Sequence, residues 1–411
     1  MTYPDYQKSV LPNGLTLVTE RIPYVRSVSV GVWIRTGTRY ESAGVNGVAH
    51  FLEHMMFKET ERRSARDIAR NIESLGGSIN AFTSKEQTCF HVEILDEYLD
   101  DALSVLSDIL SRHRFPELEF QKERFVILDE IQSVEDTPDD KIHDVFVEEL
   151  FPEHGLGYPI LGTPDTVGSL TIEEMLDFYR REYTAGNIVI AAAGNLDHQR
   201  MAERVATLFH FPGDGPAAVI APPERFGSGE VRIERPIQQG HLCLGVPAMS
   251  YTDPRRWNLL VLNTILGGGM GSRLFQNIRE EHGIAYSIYS YFDFYIDSGV
   301  MGAYLGCDPK NIPTAMELLY GEFDHLVKTP VTAAELAEAK SQLKGNIVLG
   351  LETAAARMNR LATLEMFLGM FRSLDDIIMD IDAVTAEGVQ ETARQLFAPE
   401  RFLTVLLAPA D

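Results

Sequence analysis

PGDGPAAVIAPPERFGSGE, from Pro212 to Glu230, is the part of this 411-residue chain least able to hold regular structure. Proline removes a backbone donor and glycine removes backbone restraint, so this density of both predicts a linker. It lies near the middle and leaves about two hundred residues on each side, enough for one domain each. The expected division is therefore 1–211, a linker 212–230, and 231–411.

Working outward, the first half reads as strands at 15–19 and 27–36, a helix over 45–57, and a second helix over 64–75. Strands at 78–83 and 87–95 follow, then helical patterns over 97–112 and 116–150, the latter interrupted near Pro138. The second half repeats the order: strands at 231–234 and 241–246, a helix over 255–266, strands at 285–295 and 300–306, and helices over 312–326 and 333–351. At an offset of 218 residues Glu117-Leu118 falls on Glu335-Leu336 and Lys122 on Lys340. Together with the shared element order, this register points to duplication. The expected fold class is α+β: two homologous α/β domains, each a mostly antiparallel sheet with helices packed on one face.

Composition narrows the function classes. Hydrophobic residues make up 45% of the chain, enough to order two cores, and 36 Lys+Arg against 60 Asp+Glu leave a net charge of −24. Such a surface is unsuited to phosphate backbones and anionic membranes, so no nucleic-acid or membrane partner is expected. No apolar run approaches the length of a membrane span, and the N-terminus lacks the marks of a targeting segment. The three cysteines, Cys89, Cys243 and Cys307, are too few and too scattered for a disulfide framework. They read as buried thiols of a reducing compartment, and the expected location is the cytoplasm, of a bacterium or of a processed organellar form.

Chemistry concentrates in His50-Phe51-Leu52-Glu53-His54. On a helix, residues four apart stack on one face, so His50 and His54 can present two imidazoles to one ion. Glu53 lies near that face and can reach a water in an open coordination position, whose pKa a zinc ion lowers. The flanking residues are apolar, so the helix should be buried. Two hydrogen-bonded core histidines would produce the same pattern, and a third ligand decides between the two readings. Glu123 and Glu130, two turns apart on one helix and bracketing the apolar run Phe125-Val126-Ile127-Leu128, are the candidates. A carboxylate buried in such a run is normally paired or metal-bound.

The motif His-x-x-Glu-His with a glutamate 76 residues further on resembles the pitrilysin and insulinase family of metallopeptidases. Within that family the chain is most similar to the mitochondrial processing peptidase β subunit and its bacterial two-domain relatives. The likeness runs through LPNGLTLV (11–18), GVAHFLEHMMFKET (47–60), NAFTSKEQT (80–88), YPILGT (158–163) and LGGGMGSRLFQNIREEHGIAY (266–286). Glu59 departs from it, where relatives usually carry glycine. The resemblance implies one zinc ion per chain held by His50, His54 and Glu130, Glu53 as general base, and Glu123 orienting a ligand imidazole. It implies that Asn80 and Ala81 bind the backbone of an extended peptide added to their strand. It also implies that Arg279 and Tyr286 close on the substrate carbonyl, as donors suited to a developing oxyanion.

The offset of 218 places Val348 and Ser341 opposite Glu130 and Glu123, so the second half lacks a metal site. Phe57 matches a residue lining the pocket after the scissile bond, and Asp140 and Asp144 match positions that hold a substrate arginine. On spacing alone the two aspartates are equally a solvated acidic face. Gly267-Gly268-Gly269 reads either as a substrate-handling loop or as a helix terminator. His91, His113 and His282 show no metal spacing. The implied assembly is a homodimer or a heterodimer with a paralogue, Arg279 and Tyr286 serving the partner's zinc site. The family also contains non-catalytic scaffolds, which need not keep the ligands and base present here.

Overall fold

The structure, a computed structural model, describes residues 5–211 and 219–409. The expected linker 212–230 therefore lies partly outside the described residues. Four of the helices hold the site residues or cover a second sheet face: α1 (Val48–Met56), α2 (Glu117–Glu135), α3 (Pro138–Leu150) and α4 (Ala354–Leu368). Contacts gather the chain into two units. The first combines the residues up to Gln132 with Tyr158–Ile220 and Gly350–Phe371, and the second combines Ser133–Gly157 with Ala221–Leu349 and the chain from Arg372 onward.

The first unit is built on a six-stranded sheet of β1 (Tyr6–Val10), β2 (Thr16–Arg21), β3 (Ser27–Ile34), β4 (Ser78–Thr83), β5 (Thr88–Leu95) and β6 (Ile188–Gly194). The spatial order is β1-β2-β6-β3-β5-β4, antiparallel except for β2 beside β6. In β3 the two-residue period of a strand sends Val28, Val30, Val32 and Ile34 to one face and Trp33 to the other. The first face carries the main helical layer, in which Phe51, Leu52, Met55 and Met56 of α1 join the side chains of Ala65–Glu73, Leu99–Ser111 and Ile172–Glu182. Each such side chain removed from water contributes about 1.5–3 kcal/mol. The opposite face, with Val18, Trp33, Cys89, Val189 and Ala191, is covered by Met358, Leu361 and Ala362 of α4.

The second unit repeats this plan. Its strands are β7 (Gly229–Glu234), β8 (Gly240–Ala248), β9 (Ala285–Phe294), β10 (Gly299–Cys307) and β11 (Leu403–Ala408), in the order β7-β11-β8-β10-β9. That order is β2-β6-β3-β5-β4 over again, including one parallel pair, β7 with β11. Leu242, Leu244, Met301, Leu305 and Leu406 face the main helical layer. Cys243, Tyr304, Val405 and Leu407 face Ile142, Phe146 and Leu150 of α3.

The expectation of helices on one face needs amending, because α4 and α3 occupy the second face of their sheets. Each belongs to the opposite half of the sequence from the strands it covers, and local periodicity carries no signal for such a placement. The break near Pro138 falls where the sequence puts it: α2 ends at Glu135 and Pro138 opens α3, where its missing N–H costs nothing. All three cysteines are free and buried. No helix among the described residues is long and apolar enough to cross a membrane.

Candidate metal centre

The nine residues of α1 place Val48, Ala49, Phe51, Leu52, Met55 and Met56 in the core and leave His50 and His54 on a half-buried face. One helical turn apart, their rings stand 4.6 Å centroid to centroid at 62°. Phe51 stacks on Phe120 of α2 at 4.5 Å, and Ile127 is fully buried, so the helix carrying the acids is packed directly against the one carrying the imidazoles. Glu130 Oε2 then lies 3.8 Å from Nε2 of His50 and 3.8 Å from Nε2 of His54. Among the described residues this is the one group of three whose ligand atoms all fall within 4.8 Å of one another.

These separations exceed hydrogen bonds and suit a shared cation. An ion bonded at about 2.0–2.2 Å to two nitrogens and one oxygen sits between ligands spaced in this way. The donor set, two imidazoles and a carboxylate, is that of a catalytic zinc site with one open position. The Glu130 side chain is 41% exposed, which leaves the site accessible. The apolar run before Glu130 does not bury it. Phe125 is 70% exposed and Val126 44%, and the buried acid of the pair is Glu123.

Electrostatics divides the two histidines. Burial, assisted by the His54 charge, pulls the His50 pKa down to about 3, which keeps its imidazole in the neutral form a metal requires. Burial also opposes charging of His54, but the hydrogen bond to Glu123 and the charges of Glu130 and Glu53 outweigh it and raise its pKa. His54 Nδ1 donates to Glu123 Oε2 at 3.0 Å, and Lys58 Nζ lies 2.5 Å from the other oxygen of Glu123. Burial would raise the Glu123 pKa, yet these two partners bring it below its usual range.

Glu53 is buried at the edge of this constellation and accepts a 2.6 Å hydrogen bond from Thr83 Oγ1. Burial raises its pKa against the lowering effects of Thr83 and His54, so it is a stronger base than an ordinary carboxylate. Thr83 closes β4, an edge strand of the sheet. Asn80 is exposed and Ala81 half-buried on that strand, and Asn80 Oδ1 accepts from the Ala81 N–H at 2.9 Å. Phe57 ends α1 and is half-buried against Phe90 at 5.9 Å.

Four of the expected residues belong to the second unit. Arg279 stands at the end of a π-helical turn, Phe275–Glu281, with its guanidinium 4.7 Å from the Phe275 ring and 5.0 Å from that of Tyr286. Tyr286 is 82% exposed. Asp140 and Tyr286 line a cleft of about 390 Å³ with Asp139, His143, Tyr289 and Tyr304, whereas Asp144 is not among its lining residues.

Three further contributors, Thr83, Lys58 and Glu41, carry no motif of their own in the sequence. Thr83 lies within NAFTS, three residues from Asn80, and Lys58 lies in the turn that follows α1, four residues past His54. Glu41, buried, accepts hydrogen bonds from the backbone at the start of α1, and nothing in its local sequence marks it.

Comparison with known proteins bears on this geometry. Residues 16–164 match the family described as Insulinase (Peptidase family M16), and residues 169–343 match the Peptidase M16 inactive domain. The chain is 42% identical to an uncharacterized zinc protease of Streptomyces coelicolor, with 97% of this chain and 89% of that protein covered. It is 40% identical to one of Bacillus subtilis, with 97% of each covered. Among solved structures, a peptidase M16 inactive domain from Pseudomonas fluorescens superimposes with a TM-score of 0.93 over 99% of both chains, at 21% identity. That identity speaks for the fold alone.

Proposed function

The chain belongs to the insulinase family, peptidase family M16, and from that premise we propose that it is a zinc-dependent endopeptidase acting on extended, basic peptides. The reading is carried by one observation: His50, His54 and Glu130 converge within 4.8 Å beside a buried Glu53. His50 and His54 would offer their Nε2 atoms and Glu130 its carboxylate to the ion. Zinc held there would polarise the scissile carbonyl and make a water acidic enough to ionise near neutral pH.

The chain's own residues do the rest. Glu53 takes the proton from the attacking water and passes it to the leaving amine, its basicity raised by burial and its carboxylate aimed by Thr83. Glu123 accepts from His54 Nδ1–H, which leaves the lone pair on Nε2 for the metal. The free edge of β4 receives the substrate backbone as an added strand, with Asn80 and Ala81 at the contact. Phe57 borders the side chain after the scissile bond. Arg279 and Tyr286 donate to the oxyanion, and Asp140 and Asp144 attract an arginine of the substrate. The working form is a dimer, of this chain or with a paralogue, in the bacterial cytoplasm. Arg279 and Tyr286 then serve the partner's zinc site.

The test is metal analysis of the purified protein combined with hydrolysis of a quenched fluorescent peptide. Zinc at one per chain, loss of hydrolysis with a chelator, and a Glu53→Gln variant that binds zinc without turnover are expected. Wild-type protein that takes up zinc and cleaves no peptide would instead identify a scaffold.

A further inference from the structure

Helix α1 begins without a side-chain cap of its own. It follows Gly47, whose backbone is left-handed at φ 94°, and the unpaired N–H groups of its start are met by a residue outside the helix. Glu41 Oε2 accepts from Gly47 N at 2.8 Å and from Asn46 Nδ2 at 2.8 Å, while Oε1 accepts from Ala49 N at 2.8 Å. Asn46 Nδ2 also donates to the Pro159 carbonyl at 3.0 Å, and Lys85 Nζ donates to the neighbouring Tyr158 carbonyl. The segments at Asn46-Gly47 and Leu161-Gly162 lie back to back. A Cβ on Gly47 would come within 2.8 Å of the Leu161 oxygen, and one on Gly162 within 2.5 Å of the Asn46 oxygen.

We propose that Glu41 is a positioning residue for the metal centre, its buried carboxylate fixing the rotation and height of the short helix that carries His50, Glu53 and His54. The proposal rests on the metallopeptidase reading above. Two contrasts carry it. A carboxylate removed from water needs polar partners, and those in contact with it are the Asn46 amide and the N–H groups of Gly47 and Ala49, at the positive end of the helix, with the Lys85 charge also acting on it. Carboxyl group and helix end therefore hold each other in register through these hydrogen bonds.

The second contrast is between the two imidazoles. His54 is oriented by Glu123 through Nδ1, whereas Nδ1 of His50 is buried and has no hydrogen-bond partner. The aim of His50 is therefore set by packing and by its backbone, and the preceding residue, Ala49, is the one whose N–H Glu41 holds. Placing Gln at 41 would keep one acceptor and turn an amide NH₂ toward a backbone or Asn46 donor, breaking the grip without changing volume.

Zinc affinity of the full chain, measured by competition with a chromophoric chelator, tests this separately from turnover. For Glu41→Gln the expected result is a 10- to 100-fold loss of zinc affinity and about a tenfold fall in kcat, with KM within twofold. Asn46→Ala loosens the same loop and leaves both helix N–H groups on the carboxylate, so it should keep zinc affinity within about threefold. Should Glu41→Gln fail to fold, Glu41→Asp decides: one methylene shorter, it cannot span Gly47 and Ala49 together, and it should lose zinc affinity while remaining folded. A folded Glu41 variant with wild-type zinc affinity and kcat overturns the proposal, as does an Asn46→Ala loss equal to that of the Glu41 variant. Wild-type protein that binds no zinc overturns the metal assignment beneath it instead.

Discussion

Nδ1 of His54 stands 3.0 Å from Oε2 of Glu123, whose second oxygen is 2.5 Å from Lys58 Nζ. The chain His54–Glu123–Lys58 favours a proton on Nδ1 of the imidazole, and it leaves Nε2 toward Glu130. Removing the charge while keeping the shape, Glu123→Gln, should weaken zinc binding by about 10- to 100-fold without unfolding the protein. Lys58→Met should cost less, since it alters the acid and not the ligand. A chelator competition showing wild-type affinity for Glu123→Gln would remove Glu123 from the site.

The 2.6 Å hydrogen bond from Thr83 to Glu53 ties the base to the end of the edge strand β4. Thr83→Val keeps the side-chain volume and removes that donor. One lost hydrogen bond to a charged group corresponds to about a tenfold fall in kcat. Zinc affinity and KM should stay near wild type, and Thr83→Ser should recover most of the rate. If Thr83→Val instead raised KM alone, the threonine would belong to peptide binding and not to the base.

The legible part of this molecule was the part encoded locally. HFLEH at 50–54 could be read because the helical period alone places two imidazoles on one face. Glu130 is legible through its seven-residue spacing from the buried Glu123; the apolar run before it is only half buried, with Phe125 and Val126 exposed and Ile127 in the core. Glu41 and Thr83 were invisible because their roles depend on tertiary approach across loops. The same holds for α3 and α4, whose apolar faces could be seen but whose partner strands lie in the other half of the sequence. The central strands β6 and β11 went unread. IVIAAAG at 188–194 is buried on both faces and shows no alternation to detect.

His113 offers a pH test remote from the metal. Its ring stacks on Phe115 at 4.5 Å and meets Tyr179 edge-on at 4.3 Å, and its Nδ1 is buried without a partner. Burial, opposed by the Leu110 carbonyl, lowers its pKa from 6.5 to about 4. The folded state therefore holds it neutral while the unfolded chain takes up a proton below about pH 6.5. This contribution to stability is full above pH 6.5 and is lost as pH falls toward 4, amounting to about 2 to 3 kcal/mol. Thermal unfolding should show the wild type converging on a His113→Gln variant between pH 6.5 and 4. A constant gap in Tm across that range would mean that the imidazole is protonated in the fold.

The cleft of the second unit allows Asp140 and Asp144, both proposed to attract a substrate arginine, to be told apart. Asp140 shares it with Asp139 and with the rings of Tyr289 and Tyr304, whose centroids are 5.1 Å apart. Carboxylates beside aromatic faces suit a guanidinium, which gains from charge and ring together. Asp144 sits one turn further along α3 and does not line this cleft. If an arginine side chain enters here, Asp140→Asn should reduce the preference for Arg-containing peptides over their leucine counterparts by about tenfold in kcat/KM, and Asp144→Asn by much less. The loss should shrink at high salt, since it is a charge interaction near the surface. Equal effects from the two substitutions would move the arginine site out of the cleft, and an unchanged preference in both variants would return the pair to the status of a solvated acidic face.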